Sequence, residues 1–434
     1  MSVMLKSALR TLPVALLCAA ILPATAQPPK RATIMDEAQV APYTLPDPLV
    51  CEDGSPVLDA QTWREKRRPE ILRLCENEWF GKTPIGKPKA MRFVVREEKK
   101  DARGGKATRL RVALLYTGKE DGPQTELLIY LPNHVKGKVP IILALSFDGN
   151  FATTEEADIP LPHHWVNGLG IQLKEHLPAE SMRGSNSHSW PYDYALEHGF
   201  GVATAGYGDV EPDYPGGDKL GYRSAIKAFQ NGGGSRMGTV GAWAWSLSRC
   251  VDYLGTNPRV DAKKIAIQGH SRLGKAALWA AAQDERIALV ISNESGAGGA
   301  ALNKRIFGET VGDLARRFPH WFCPNFAKYS ENEDAMPVDS HELISLIAPR
   351  PVLITSAVED RWSDPKGEFL AAVAADPVYR LLGGDGVGST QWPGAPGFVP
   401  GKIGYWIRQG KHDVLLEDWK TYIAFAESHF RSKR

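Results

Sequence analysis

The segment GHSRLG at residues 269–274 places a serine between a short apolar run and a helical pattern. A strand-to-helix turn with small residues around a serine is typical of a nucleophile elbow, in which the hydroxyl stands above the edge of a sheet. The second glycine follows Ser271 by three positions, so the motif departs from the common G-x-S-x-G form. The alternative is a structural turn in which Ser271 only caps the next helix. The context favours Ser271 as a nucleophile.

A serine hydroxyl becomes a good nucleophile when a base removes its proton, and in this arrangement an acid and a histidine follow in chain order. Asp360 comes just after a predicted strand at 351–356. His412 lies between a predicted strand at 402–407 and the last predicted helix. The order and the context of the three residues predict a catalytic triad of Ser271, Asp360 and His412.

A second acid, Glu294, follows the predicted strand at 288–292, which is the next strand after the serine turn. A carboxylate at this neighbouring strand tip could also reach His412. The alternative is a loop acid whose oxygens accept hydrogen bonds from backbone N–H groups. The sequence leaves both possibilities open.

Two cations, Arg272 and Lys275, lie in the first turn of the helix after Ser271. The amino end of a helix is electropositive, so cations there cost stability unless they serve a ligand. The backbone N–H of Arg272 can contribute to an oxyanion hole, and its guanidinium can add positive charge. Lys275 shares a helical face with Ser271. The second oxyanion donor is expected in the loop at 147–150.

The elements around these residues predict an α/β fold. Three strand-like stretches between residues 91 and 132 are followed by buried strands that alternate with helices. The later apolar runs lack a two-residue alternation, which is typical of parallel strands covered on both faces. Glycine-rich and proline-rich loops are predicted at 150–186 and 381–401. The predicted buried strands are 139–145, 201–205, 264–268, 288–292, 351–356 and 402–407, and the predicted helices are 239–254, 272–283, 366–375 and 416–430.

The chain has 434 residues, of which 43% are hydrophobic and 24% charged, as in soluble proteins with a large core. With 52 basic and 50 acidic residues, it gives no electrostatic argument for binding nucleic acid. Residues 1–26 combine two cations, an apolar run and a final Ala-Thr-Ala, which predicts a signal peptide cleaved after Ala26 and a secreted or periplasmic protein without a membrane span. We predict an arm and a surface helix at 27–90 and one catalytic domain at 91–434.

Four cysteines remain after that cleavage, and an oxidising compartment favours disulfides. Of the three possible connectivities, Cys51 with Cys75 and Cys250 with Cys323 is the favoured one. None of these cysteines forms a CxxC pair or adjoins a histidine, so we predict neither a metal nor another cofactor.

Several motifs together resemble the glucuronoyl esterases, carbohydrate esterase family 15. The likeness runs from about residue 132 to the carboxyl terminus. It implies an α/β-hydrolase fold and hydrolysis of the ester between 4-O-methyl-glucuronic acid of glucuronoxylan and a lignin alcohol. The matching motifs are GHSRLGK at 269–275, SNESGAGG at 292–299, FPHWF at 318–322, HELI at 341–344, APRP at 348–351 and KHD at 411–413.

The resemblance implies a role for each matching residue. Ser271 is the nucleophile, His412 the base and Arg272 part of the oxyanion hole. Glu294 and Asp360 both match acid positions of the family, whose members differ in the acid that they use. Positions 270 and 413, which carry a bridging cysteine pair in fungal members, hold a histidine and an aspartate here. The chain therefore resembles a bacterial member, with its elbow held by packing alone.

The resemblance also implies sugar contacts by Lys275, Glu309 and Trp362. An esterified uronic acid is uncharged, so Lys275 would bind its hydroxyls, and the Trp362 ring can stack on a pyranose face. The rival hypotheses are an acetyl xylan esterase with the same triad and a noncatalytic xylan-binding protein. The expected partners are glucuronoxylan and its lignin esters, and the expected oligomeric state is a monomer.

Overall fold

One mixed sheet of ten strands runs through the computed structural model, which describes residues 31–162, 165–168 and 175–430. The predicted signal peptide lies outside these residues. The strands are β1 Arg92–Ala102, β2 Ala107–Leu115, β3 Gln124–Pro132, β4 Val139–Ser146, β5 Gly201–Gly206, β6 Val260–His270, β7 Leu289–Asn293, β8 Val352–Ala357, β9 Gly397–Val399 and β10 Ile403–Arg408.

The strands lie in the order β1-β2-β3-β5-β4-β6-β7-β8-β10-β9. The pairs from β5 through β4, β6, β7 and β8 to β10 are parallel. The first three strands and β9 pair antiparallel with their neighbours. This arrangement confirms the predicted α/β class, and it brings the carboxyl ends of β6, β7, β8 and β10 to one edge of the sheet.

Helices cover both faces of the sheet, which explains why the central strands are apolar at successive positions. Ile141 and Leu143 of β4 pack into one core, while Ile142 between them packs into the other. Helices α2, α6, α7, α9 and α10 contribute to the first core, and α3 and α11 to the second. The helical segments are α1 Ala60–Thr62, α2 Arg68–Glu78, α3 Tyr192–Glu197, α4 Tyr207–Val210, α5 Tyr222–Ala225, α6 Thr239–Leu254, α7 Arg272–Gln283, α8 Val311–Arg317, α9 Ser340–Ser345, α10 Pro365–Leu381 and α11 Leu416–Phe430.

The predicted bounds of α6, α7 and α11 are confirmed, whereas the predicted helix at 366–375 and the predicted loop at 381–401 differ from the structure. Helix α10 continues to Leu381, beyond the predicted end at residue 375, although Pro377 lies inside it. The predicted loop at 381–401 contributes β9, whose three residues form an edge strand on β10. A strand so short and so rich in neighbouring glycine and proline carries almost no periodic signal.

The predicted disulfides are wrong, because all four cysteines described here are free thiols. Each one is buried and serves as a small apolar group in its own part of the core. Cys75 and Cys250 lie inside helices α2 and α6, and the Cys323 thiol donates to the Asn77 carbonyl at 3.5 Å. An expected oxidising compartment favours disulfides but does not by itself bring sulfur atoms together.

The amino-terminal segment packs against the first core through a broken helix. A π-helical turn at Trp63–Arg67 joins α1 to α2, and Trp63, Ile71 and Cys75 are buried. Within the described part of the chain, no helix is both long enough and apolar enough to cross a membrane.

Candidate active site

Ser271 occupies the turn between the end of β6 and the start of α7 with φ 56° and ψ −128°. This strained conformation is that of a nucleophile elbow. A Cβ on Gly269 would lie 2.1 Å from the Leu273 carbonyl oxygen, and one on Gly274 would lie 2.9 Å from the Ser295 Cβ. The two glycines therefore allow the tight packing that the turn requires.

His412 lies on the loop after β10 and contacts both predicted acids through the same ring nitrogen. Its Nδ1 is 2.6 Å from Oδ2 of Asp360, at the end of β8, and 3.0 Å from Oε2 of Glu294, at the end of β7. Burial alone would lower the pKa of His412, but the bonds to Asp360 and Glu294 raise it to about 10. The site thus stabilises the imidazolium that forms when His412 accepts a proton.

Glu294 is the more deeply anchored of the two acids, with a side chain that is 1% exposed. Its Oε1 accepts from Arg408 Nη2 at 2.7 Å, and its Oε2 accepts from the Asp413 backbone N–H at 2.9 Å. Arg408 is itself buried and also pairs with Asp418. Burial raises the pKa of Glu294 to about 7, and the nearby His412 opposes this shift. Glu294 therefore holds the loop of His412 in place as well as the imidazole.

Ser271 and His412 line one cavity of about 260 Å³, which opens at the carboxyl edge of the parallel strands. Apolar walls and a few polar groups are typical of small-molecule sites. One wall is formed by Asn186, the last residue of the predicted loop at 150–186, and by His188, Ser189 and Trp190, which follow that loop. The remaining lining residues are Leu145, Phe147, Gln268, His270, Arg272, Asp413 and Val414.

The Arg272 guanidinium is fixed beside the cavity by a buried carboxylate, Asp213. Asp213 accepts from Arg272 Nη1, from His320 Nε2 at 2.8 Å and from Trp321 Nε1 at 2.6 Å. The guanidinium also lies 4.8 Å from the centre of the Trp321 ring. Burial opposes the charge, but Asp213 raises the pKa of Arg272. Arg272 is therefore a permanent, oriented cation next to Ser271.

Lys275, Glu309 and Trp362 form a second group that does not line the same cavity. The Lys275 ammonium donates to the carbonyls of Ser295 and Ala297 at 2.5 and 2.6 Å and lies 3.6 Å from Glu309. Burial lowers the pKa of Lys275, and Glu309 opposes this shift. Trp362 Nε1 donates to Glu309 at 3.2 Å. The three residues are thus joined through Glu309, while the roles in sugar binding implied for them stay predictions.

Comparisons with known proteins agree with this geometry. A family model described as "Glucuronyl esterase, fungi" matches residues 228–383. A carbohydrate esterase, MZ0003, from an unknown prokaryotic organism is 46% identical over 398 residues, which cover 91% of each chain.

The chain belongs to the glucuronoyl esterases of carbohydrate esterase family 15.

Two further relatives of this esterase extend the likeness. A solved glucuronoyl esterase from Solibacter usitatus is 43% identical, with a TM-score of 0.85 and coverage of 91% of this chain and 100% of that one. A 4-O-methyl-glucuronoyl methylesterase from Schizophyllum commune is 27% identical over 78% of this chain and 74% of its own. The α/β-hydrolase fold that the motifs implied is thereby confirmed.

The loop at 147–150, where the second oxyanion donor is expected, reaches the cavity. Phe147 lines the cavity, and Gly149 has φ 86°. The Asp148 carboxylate accepts from the Gly168 N–H at 2.7 Å and from Asn186 Nδ2 at 2.8 Å. These bonds tie the loop to the cavity wall, and the oxyanion donor itself stays a prediction.

One group of described side chains, next to Ser271, could offer ligand atoms to a cation. Among the described residues, His270, Glu294 and His412 place one ligand atom each within 4.8 Å of one another. Both oxygens of Glu294 already accept hydrogen bonds, and the Arg408 cation lies 2.7 Å from one of them. A metal ion would have to displace these partners, so the hydrogen bonds of Glu294 fit the orientation of His412 better than they fit a metal centre.

Two residues of the esterase that hold site residues in place were not predicted from the sequence. Asp213 holds Arg272, and Arg408 holds Glu294. Arg408 is the last residue of β10, four positions before His412. A cation at the end of that strand could have indicated a partner for a nearby acid such as Glu294. Asp213 lies on an irregular segment after α4, and nothing in its neighbourhood signals that it meets Arg272, which lies 59 positions later in the chain.

Proposed function

We propose that this esterase hydrolyses the ester between (4-O-methyl-)glucuronic acid of glucuronoxylan and lignin alcohols through an acyl-enzyme on Ser271. The observation that carries the proposal is the elbow serine sharing one cavity with an imidazole whose Nδ1 faces two carboxylates. Relatives named 4-O-methyl-glucuronoyl methylesterases support the substrate class.

The first step depends on which ring nitrogen of His412 carries the proton. Because Nδ1–H donates to the acids, the other ring nitrogen, Nε2, is the acceptor when the imidazole is neutral. Nε2 takes the proton of the Ser271 hydroxyl while the Ser271 oxygen attacks the uronate carbonyl carbon. The imidazolium is stabilised by Asp360 and Glu294 and then gives its proton to the departing alcohol.

The oxyanion of the tetrahedral intermediate forms next to the start of α7. The Arg272 backbone N–H and the loop at 147–150 supply donors, and the guanidinium held by Asp213 adds fixed positive charge. Each such donor contributes about 3 kcal/mol by analogy with a single oxyanion donor in other hydrolases. In the second step His412 removes a proton from water, whose oxygen attacks the acyl carbonyl carbon. The bond to the Ser271 oxygen then breaks, and the imidazolium returns the proton to that oxygen as the uronic acid leaves.

The group of Lys275, Glu309 and Trp362 supplies the proposed recognition of the sugar. An esterified uronate carries no charge, so hydrogen bonds and ring stacking select it better than an ion pair would. Glu309 links Lys275 with Trp362, so the three side chains present a coordinated set of donors and acceptors.

Turnover of benzyl glucuronate by a Ser271→Ala variant tests the proposal. We expect activity to fall at least a thousandfold, whereas Ser189→Ala, a control in the same cavity wall, keeps near wild-type activity. Retained turnover in Ser271→Ala would rule out the acyl-enzyme.

Rates on galacturonate and acetyl esters are measured in the same assay, and a preference for acetyl xylan would favour the rival hypothesis of an acetyl xylan esterase.

We further infer that the protein is exported as a monomer after cleavage behind Ala26. The amino-terminal pattern supports the export, and the insoluble nature of lignified xylan requires an enzyme outside the cytoplasm. Sequencing the amino terminus of the mature protein tests the cleavage, and light scattering of the purified chain tests the oligomeric state.

A further inference from the structure

Asn293, the last residue of β7, touches the chain on both sides of the reaction centre. Its Nδ2 donates to His270 Nδ1 at 2.8 Å and to the Asp413 carbonyl oxygen at 3.1 Å. His270 immediately precedes the nucleophile Ser271, and Asp413 immediately follows the base His412. One buried amide therefore connects the two chain segments that carry the reacting groups.

The backbone of Asn293 adds a third connection. Its carbonyl oxygen accepts from the Ser271 N–H at 2.8 Å, which fixes the strained turn to the neighbouring strand. The residue thus holds Ser271 through the main chain and both flanking residues through its side chain. These contacts show that the elbow is held by hydrogen bonds, and the expectation of packing alone is wrong.

The orientation of the amide is determined by its surroundings. The Thr355 hydroxyl donates to Oδ1 at 2.5 Å, so the NH₂ group faces His270 and Asp413. An amide NH₂ group has two hydrogens, and each has one acceptor here. His270 Nδ1 is consequently an acceptor, and the proton of this imidazole resides on Nε2. Burial lowers the pKa of His270 well below its ordinary value, so no second positive charge develops beside His412.

A connection of this kind matters because the His412 loop is otherwise exposed. The His412 side chain is 40% exposed, and its ring lies 4.4 Å from the ring of His270. Arg408 Nη2 also donates to the Asp413 carbonyl at 2.6 Å and keeps the loop attached if Asn293 is lost. Removal of Asn293 should therefore misplace the base without releasing its loop completely.

We propose that Asn293 is a positioning residue, an amide clamp that sets the distance between Ser271 and His412. The inference rests on the proposed roles of these two residues, which Ser271→Ala tests separately. If Ser271→Ala kept its activity, the proposed function would fail whatever Asn293 does.

The first test compares Asn293→Ala with Ser292→Ala. Ser292 precedes Asn293 in β7, is equally buried and donates only to the Ser295 hydroxyl, so it controls for general damage to the strand. We expect kcat on benzyl glucuronate to fall about 10- to 100-fold in Asn293→Ala, with KM within about twofold, as for a misplaced reacting group. An unchanged kcat, or an equal fall in Ser292→Ala, would overturn the clamp.

The second test restores the connection by another bond. In the Asn293→Ala background, His270→Cys and Asp413→Cys place two thiols where the amide joined the segments. Oxidised glutathione takes two electrons and two protons from the thiols, which form one S–S bond, and is itself released as two molecules of reduced glutathione. We expect oxidation to raise kcat at least fivefold and reduction by dithiothreitol to reverse the gain. Mass spectrometry first confirms that the two thiols have paired, and a pair that leaves kcat low would contradict the proposal.

Discussion

Removing the two acids that face His412, singly and together, should reveal that each can replace the other. The perturbations are Asp360→Asn, Glu294→Gln and the double variant. In wild type the two carboxylates lie 2.6 and 3.0 Å from the same Nδ1, so either single variant leaves one carboxylate in hydrogen-bond contact. The double variant leaves the imidazolium without an anionic partner.

The expected magnitudes follow from that geometry. Loss of one charge-assisted hydrogen bond with the other retained costs about 1.4 to 2 kcal/mol, or roughly 10- to 30-fold in kcat. Loss of all anionic partners should cost about 10⁴-fold, as removal of the acid does in other serine hydrolases. Independent effects of about tenfold each would give only about 100-fold. The remaining factor of about 100 corresponds to a coupling of about 2.7 kcal/mol.

Steady-state kinetics on benzyl glucuronate give kcat for wild type, the two single variants and the double variant, which form a double-mutant cycle. Glu359→Gln is the matched control. Glu359 adjoins Asp360 in the chain but its side chain is exposed, so its replacement should leave kcat unchanged. Thermal unfolding accompanies each variant, because Glu294 also pairs with Arg408. Additive losses, or a 10⁴-fold loss in one single variant, would refute the shared role.

Three further predictions follow from the site. Only the neutral imidazole of His412 accepts a proton, so its raised pKa should place the rising limb of the pH profile of kcat/KM above pH 6.5. Asp360→Asn removes one cause of the raised pKa and should shift this limb to lower pH. Asp213→Asn should lower kcat at least tenfold by releasing the Arg272 guanidinium, and an unchanged kcat would exclude that cation from the oxyanion site. Trp362→Ala should raise KM for glucuronate esters about tenfold and leave acetyl ester hydrolysis unchanged, as initial rates on both substrates would show.

The parts of the fold that follow from local pattern could be predicted from the sequence. Helices α6, α7 and α11 have uninterrupted apolar faces, and their bounds are confirmed. The predicted end of helix α10 at residue 375 falls short of Leu381, because tertiary packing preserves the helix across Pro377, where propensity alone would end it. Strand β9 exists only through its pairing with β10, so nothing in its own three residues could predict it.

The candidate site also has a part that follows from the sequence order and a part that depends on contacts between distant segments. The order of Ser271, Asp360 and His412 along the chain was enough to bring them to one sheet edge, because parallel strands end there together. Whether Glu294 also reaches the imidazole depends on differences of a few tenths of an ångström, which spacing does not encode. Asp213 and Asn293 act through contacts between distant segments, and their neighbours in the sequence show no pattern that points to those partners.

The acyl-enzyme on Ser271 can be detected directly by rapid acid quench of the enzyme during turnover of benzyl glucuronate, followed by mass spectrometry of its peptides. We expect a glucuronoyl group in ester linkage on Ser271 that appears before steady state and disappears when substrate is exhausted. An adduct on another residue, or turnover at full rate without any covalent adduct, would contradict this expectation.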